Sequence, residues 1–350
     1  MNYFALAQET MQITKDGQYE VGGKTVQLTK DDIEEVIVYD PELGEEMSHV
    51  TKRANGAGRI IVTGEDSFEA AARYKNPLVM SFANALHPGG GFKMGSNAQE
   101  ESLCRASTLY ASIASEHGKL MYDYNASHPS KVASDFMLLS PNVCVFRDPQ
   151  GELLAKPYTV GVISVTAPNR AGAAFRVRKA TTAEAMEDRI RIMLSVAYQN
   201  NYRNLVLGAW GCGVFRNEAK DVAEHFRKVL IDEGYAKYFN EICFAIHRKP
   251  NKRESKNQRI FRLALTPDAE PEQKTETKKK KSKLPGKIHL PKVPSVKAAK
   301  EKHAAKVEKK AEKKAVKKAA KAERAEHGEK NKKLRKRGKK AQQDKSPGEM

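Results

Sequence analysis

Apolar residues along this chain come in short runs whose spacing switches between strand-like and helix-like. Residues 59–63 (RIIVT) and 78–82 (LVMSF) are compact apolar runs between polar or glycine-containing segments, and both predict buried strands. Between them, residues 66–74 predict a helix capped by Asp66 or Ser67. Another helix is predicted from about Gln99, with Leu103, Ala106, Tyr110 and Ile113 at three- and four-residue intervals. Residues 158–166 predict a strand. Residues 182–200 give the clearest helix, capped by Thr182, with Met186, Ile190, Met193, Leu194 and Ala197 on one face. Then follow a strand at 205–208, a helix at 217–233 with Val222, Phe226, Val229 and Leu230 on one side, and a last strand at 241–246. Such alternation argues for an α/β fold with helices on both faces of the sheet. In sheets of this kind ligands bind beyond the C-terminal ends of strands.

The first 57 residues lack this rhythm. They read as a small N-terminal extension packed on the domain, with a short helix at 6–11 and a hairpin at 17–28 turning at Gly22 and Gly23. The α/β pattern occupies residues 58–265, the expected catalytic domain, and residues 266–350 form a tail of different character. The 350-residue chain has a net charge of +19. Residues 271–350 hold 29 Lys and Arg against 10 Asp and Glu, so the tail carries the whole excess and residues 1–270 are neutral. With little to bury and much charge, a Lys/Ala-rich tail of this kind is expected to be disordered.

Candidate chemistry sits after the second strand. Asn84 leads into Gly89, Gly90 and Gly91, and seven residues then separate Gly91 from Gln99, Glu100 and Glu101. Glycines let a backbone approach a ligand closely, and their N–H groups can face phosphate or ribose oxygens. Two adjacent carboxylates at a helix start suit bond cleavage by acid and base, although a pair of acids there is also a simple partner for the helix dipole. Asn84 could contact ribose or cap its own turn. A second glycine loop, Gly211, Cys212, Gly213, Val214 and Phe215, lies between a predicted strand and a predicted helix, where backbone amides favour an anion. Its bland alternative is an ordinary loop with Phe215 in the core. Neither loop has the spacing of a P-loop or a dinucleotide fingerprint.

Together the two motifs resemble those of the microbial-type poly(ADP-ribose) glycohydrolases. The resemblance runs from about Leu6 to about Arg262 and includes the segment 207–217 (LGAWGCGVFRN). It implies a macrodomain-like three-layer α/β/α fold with a mixed sheet, and hydrolysis of ribose–ribose O-glycosidic bonds to release ADP-ribose. By position it implies Glu101 as the acid/base, Glu100 as the ribose-orienting partner, and Gln99 as support for the loop. Asn84 and Gly89–Gly91 would meet ribose and phosphate, the loop 211–215 would wrap the diphosphate, and Phe215 would position the distal ribose. The chain departs from the family pattern at Lys93 and Met94. The alternatives are a mono-ADP-ribosyl hydrolase and a non-catalytic ADP-ribose-binding macrodomain. Paired carboxylates argue against the second.

His87 reads as a turn residue. Cys104, Cys144, Cys212 and Cys243 form no CxxC pair and read as reduced thiols of an intracellular protein, cytoplasmic in a bacterium or nuclear in a eukaryote. No cluster has metal-ligand spacing, so neither a metal nor a cofactor is expected. The N-terminus shows no signal peptide, and no stretch approaches 18 consecutive apolar residues, so no membrane partner is expected. The protein is expected to be a monomer. The basic patches at 278–287 and 332–340 predict non-specific, salt-sensitive binding to nucleic acid or to poly(ADP-ribose) itself. The tail has no aromatic residue, which disfavours base stacking.

Overall fold

The computed structural model describes residues 1–29, 31–49, 53–248 and 253–269. The basic tail predicted from sequence lies outside the described residues beyond Ala269.

A seven-stranded mixed sheet organises the molecule. Its strands are β3 (Ile37–Tyr39), β4 (Arg59–Thr63), β5 (Pro77–Phe82), β6 (Met137–Arg147), β7 (Leu153–Val165), β8 (Asn204–Leu207) and β9 (Glu241–Ala245), in the order β3-β6-β7-β5-β8-β9-β4. β7, β5, β8, β9 and β4 run parallel; β6 is antiparallel to β7, and β3 is antiparallel to β6. The loops that follow the five parallel strands therefore emerge on one edge, with β5 near the middle.

Side chains alternate across the sheet, as the period of two requires. Leu78 and Met80 of β5 join Ile163, Leu205 and Phe244 on one face, where α7 (Lys179–Gln199), α8 (Ala219–Arg227) and α9 (Lys256–Leu265) pack. Val79 joins Val162, Val206 and Cys243 on the other, under α1 (Tyr3–Asp16), α3 (Ser67–Ala71), α4 (Gln99–Ala106), α5 (Leu109–Ile113) and α6 (Lys119–Ser127). Three layers result, as the resemblance implied.

The N-terminal segment is more integrated than its pattern suggested. α1 is a full helix capped by Asn2 and ended by Gly17 at φ 68°, and its Ala7 is fully buried. The hairpin β1 (Gln18–Val21) and β2 (Lys24–Gln27) packs near Phe146 through Tyr19. β3, followed by α2 (Pro41–His49), is one of the two edge strands of the main sheet.

Several predicted elements change shape. The helix expected to run from Gln99 through Ile113 is broken into α4 and α5. At the break Thr108 N donates to Cys144 O and Thr108 Oγ1 accepts from Cys144 N, so the chain pairs with β6 instead of continuing the helix. Thr182 does not cap α7: the helix begins at Lys179, and the Thr182 hydroxyl donates to Lys179 O within the first turn. α8 starts at Ala219 and passes into a π turn, Lys228–Asp232. β6 had no sequence signal, because Pro141 and Asn142 interrupt its pattern. They lie at the register shift between Ser140 and Val143, where proline's missing N–H is tolerated.

Among the described residues, no helix is long and apolar enough to cross a membrane.

Candidate active site

β5 ends at Phe82, and the chain turns over the sheet edge. Asn84 Oδ1 accepts from the N–H groups of Leu86 (2.8 Å) and His87 (3.0 Å), so its side chain caps its own turn. Its Nδ2 has no protein acceptor among the described residues. Gly89 and Gly90 follow at φ 66° and 54°, a left-handed backbone that costs glycine little. Buried Phe92 then starts a short 3₁₀ turn, Phe92–Met94, and stacks obliquely against Tyr110 with ring centroids 5.2 Å apart. Lys93 lies over the same Tyr110 ring, and Met94 is exposed.

α4 is bolted to β5 by Gln99. Its Oε1 accepts from Phe82 N (2.9 Å), and its Nε2 donates to Met80 O (2.8 Å) and Ser67 Oγ (3.2 Å). Its amide is thus committed within the protein. The next two side chains turn back beneath the glycine loop. Glu100 accepts from Asn84 N at Oε2 (2.8 Å) and from Gly89 N at Oε1 (3.1 Å). Glu101 accepts from Gly91 N at Oε1 (3.0 Å) and from Ala98 N at Oε2 (3.1 Å).

This corrects one expectation. The amides of Gly89 and Gly91 are turned inward onto the carboxylates, and Gly90 N donates to His87 O. The triple glycine is a holder for two acids before it is an anion cradle. What the glycines leave bare is space. A Cβ at Gly90 would stand 2.7 Å from Glu101 Oε1 and 3.3 Å from Glu100 Oε2, so both carboxylates converge over this residue.

Both acids are buried, Glu100 at 3% exposure and Glu101 at 8%. Burial pushes the Glu100 carboxyl up to about 8; the amide of Asn84 opposes this, the charge of Glu101 adds to it, and the amide of Gly89 opposes it. Desolvation outweighs two charge-favouring hydrogen bonds.

The loop after β8 is built differently. Buried Trp210 donates from Nε1 to Val165 O (3.1 Å), and Asn217 Nδ2 bonds Pro168 O (2.9 Å) and Gly211 O (3.1 Å). These bonds tie the loop to the end of β7. A Cβ on Gly211, at φ 71°, would meet Asn217 Nδ2 at 2.5 Å. The backbone N–H groups of Gly213, Val214 and Phe215 find no acceptor among the described residues. Val214 is exposed, and Phe215 is half-buried against the α7–α8 side of the core. Arg216 adopts φ 56°, an uncommon backbone for a residue with a Cβ.

The two loops follow adjacent parallel strands, so the sheet brings the predicted residues to one edge. A cleft of about 660 Å³ opens at the same edge, walled by Asp66, Phe82, Gln99, Ala209, Ile246 and His247 among others. The two glutamates do not line it; Gln99 marks its border with them. Cys104 is fully buried, and burial drives its ionisation well above the usual thiol range. Burial likewise raises Cys212 to about 12, and its Sγ–H points at Trp210 O.

Trp210 and Asn217 were not singled out from sequence, although both lie in the quoted segment. The lone Trp of the chain within a glycine loop was the available signal. Arg189 carried none: it is buried in α7 and donates to Val132 O, Thr166 O and Ala133 O and to Asp135, locking the segment before β6 to the end of β7.

Comparison with known proteins agrees with this geometry. The family model of the microbial-type PARG catalytic domain matches residues 7–148, which includes the first glycine loop and both glutamates. A poly(ADP-ribose) glycohydrolase structure from Thermomonospora curvata is similar at 33% identity and a TM-score of 0.68, covering 75% of this chain and 98% of that one. A second structure of that glycohydrolase, bound to the inhibitor ADP-HPD, is similar at 34% identity and a TM-score of 0.67, covering 74% and 97%. The enzyme from Deinococcus radiodurans in complex with ADP-ribose is similar at 37% identity and a TM-score of 0.59, covering 66% of this chain and 93% of that one. No curated protein matches. With its carboxylate pair, its two glycine loops and near-complete coverage of these relatives, the chain belongs to the microbial-type poly(ADP-ribose) glycohydrolase family.

Proposed function

We propose that the protein hydrolyses the ribose–ribose O-glycosidic bond of poly(ADP-ribose), releasing ADP-ribose, with Glu101 as the acid and then the base. The observation that carries this reading is the convergence of two buried carboxylates over the bare Cα of Gly90. Glu100, raised to about 8, carries a proton at neutral pH, and its Oε2 faces the same point as Glu101 Oε1. The Glu100 proton sits where the two carboxylates converge, so it is available to whichever oxygen faces the scissile linkage. Glu101 delivers it to the leaving ribose oxygen as the anomeric C–O bond breaks. Carboxylate charge steadies the cationic centre, a water attacks it, and Glu101 takes up the proton that water loses. Glu100 meanwhile orients the ribose hydroxyls, and Gln99 holds the helix start in place without touching substrate.

The rest of the ligand follows the sheet edge. The open amides of Gly213, Val214 and Phe215 suit the diphosphate, with Phe215 beside the distal ribose. The cleft beside Phe82, Ile246 and His247 suits the adenosine. Asn84 Nδ2 is placed to meet a ribose hydroxyl. Incubating the protein with purified poly(ADP-ribose) and, separately, with mono-ADP-ribosylated protein tests the assignment. Free ADP-ribose from the polymer is the expected product. An intact polymer alongside released single groups would move the enzyme to the mono-ADP-ribosyl class.

The basic tail adds a sequence-independent grip on polyanions. Removing residues 271–350 should leave ADP-ribose binding unchanged and weaken binding to duplex DNA and long poly(ADP-ribose). The lost component should be the one that falls steeply with salt. Equal, salt-insensitive binding by both forms would refute that role.

A further inference from the structure

Resting on that reading, the strand order gives the bound substrate a direction. Adenosine sits beyond β9 and β8, the diphosphate lies on the loop after β8, and the chemistry occurs on the loop after β5. In the order β7-β5-β8-β9, the strand that continues this direction past the chemistry is β7.

The loop after β7, residues 166–178, is unusual in two ways. It exposes a large aromatic side chain from an ordered backbone. Phe175 is 69% exposed, yet its neighbour Ala174 is fully buried. The loop is closed by bonds from Gly172 N and Ala174 N to Asn169 O, from Phe175 N to Gly172 O, and from Val177 N to Ala174 O. Arg170 donates to Val177 O across it, and Ala171 N donates to Phe215 O, which hooks it to the second glycine loop. Phe175 is thus displayed on a fixed frame.

The second feature is charge. Residues 1–270 are neutral overall, but residues 153–183 contain no Asp or Glu. Of the cations there, Lys179 pairs with Asp221. Arg176 and Arg178 are exposed and have no acidic partner among the described residues. Arg216, on the adjoining loop, is also exposed and unpaired among them. An aromatic face among unpaired guanidinium groups fits a nucleotide: the ring stacks on a base and the arginines meet its phosphates.

We propose that Phe175, Arg176, Arg178 and Arg216 form a subsite for the nucleotide unit on the leaving side of the scissile bond. The adenine of the next ADP-ribose stacks on Phe175, and its diphosphate lies against the arginines. This subsite distinguishes a polymer from a single ADP-ribose group on any other acceptor.

Two substrates separate this idea from the assignment beneath it. One is purified poly(ADP-ribose). The other is ADP-ribose bearing a small aryl leaving group on the distal ribose, which lacks the leaving-side nucleotide. Phe175→Ala should lower kcat/KM on polymer by at least about fivefold, the low end of the scale of one base–aromatic stack. It should change kcat/KM on the aryl substrate by less than about twofold. The double variant Arg176→Gln/Arg178→Gln should flatten the salt dependence on polymer only. All these positions are exposed, and an unchanged melting temperature checks folding. Polymer cleavage unaffected by either variant, or an equal loss on both substrates, would overturn the subsite while leaving the glycohydrolase assignment standing. Wild-type protein inert toward both substrates would overturn the assignment and the subsite with it.

Discussion

The two glycine loops follow neighbouring parallel strands, and both are glycine-rich turns into a helix, yet their backbones point opposite ways. In the first, the amides of Gly89 and Gly91 are spent on Glu100 and Glu101. In the second, the amides of Gly213, Val214 and Phe215 are open, and the loop's stiffness comes from Trp210 and Asn217 beneath it. Glycine serves different ends in the two. At Gly90 it keeps a Cβ from standing where two carboxylates meet. At Gly211 it permits a left-handed turn pressed against Asn217. At Gly213 no protein atom lies within 4 Å of the point a Cβ would occupy, so only a ligand would notice one.

The sharpest test of the first loop is its acid. Glu101→Gln should retain ADP-ribose binding and lose turnover by roughly 10²–10⁴-fold, the usual contribution of general acid–base catalysis. Single-turnover cleavage of labelled polymer, read beside calorimetric binding of ADP-ribose, measures both. Near-wild-type turnover would remove Glu101 from the mechanism.

Next in size is the glycine between the acids. Gly90→Ala places a methyl carbon 2.7 Å from Glu101 Oε1 and imposes φ 54° on a residue with a Cβ. Backbone strain of this kind costs about 1–3 kcal/mol. The expected outcome is a lower melting temperature together with a large loss of activity, since the methyl displaces Glu101 Oε1. Unchanged stability and activity would mean that the loop relaxes freely and that the carboxylates are not held as described.

These tests bear on how much could be read from the sequence. The strand-helix alternation and the placement of both loops at strand ends follow from local pattern and motif. The inward turn of the Gly89 and Gly91 amides does not. It depends on where α4 lies, and α4 is fixed by Gln99 reaching β5, a contact across 17 residues to Phe82. The break between α4 and α5 was likewise invisible, because it is set by Thr108 pairing with Cys144, which is distant in sequence. β6 was hidden by Pro141, and β3 by its shortness. Local periodicity reports elements whose stability is local. It is silent where a side chain from another element decides the backbone.

A smaller effect separates the loops by pH. The Glu100 carboxyl, ordinarily near 4.5, is raised to about 8 in the folded protein. The folded state therefore binds a proton that the unfolded state has lost, and the buried group weakens stability as pH rises between those values. The penalty is absent below the unfolded value and complete above about 8. Wild-type melting temperature should fall more steeply from pH 5 to pH 9 than that of Glu100→Gln, whatever offset the substitution adds. Wild-type kcat/KM should also fall as pH passes about 8, when Glu100 gives up its proton. Parallel melting curves would show that Glu100 is already ionised at neutral pH. No variant in the second glycine loop should alter the slope, since no carboxylate of the pair contacts it.

The smallest expected change is at Gly213. A Cβ there meets no protein atom within 4 Å, and its backbone is not in the left-handed region, so Gly213→Ala should alter stability by no more than about 0.5 kcal/mol. Its effect should appear only with ligand. If the open amides of Gly213 to Phe215 receive the diphosphate, a methyl group at the first of them crowds the approaching phosphate, and ADP-ribose affinity should fall a few-fold. Adenosine, which lacks the diphosphate, should bind as it does to the wild type. Calorimetry with the two ligands, alongside a thermal melt, reads all three quantities. A stability loss comparable to that of Gly90→Ala would show that the second loop is packed as tightly as the first. Unchanged affinity for ADP-ribose would place the diphosphate elsewhere on the sheet edge. The contrast between the loops predicts a variant that is silent in folding and audible only to a phosphate, next to one that disrupts the fold and the chemistry together.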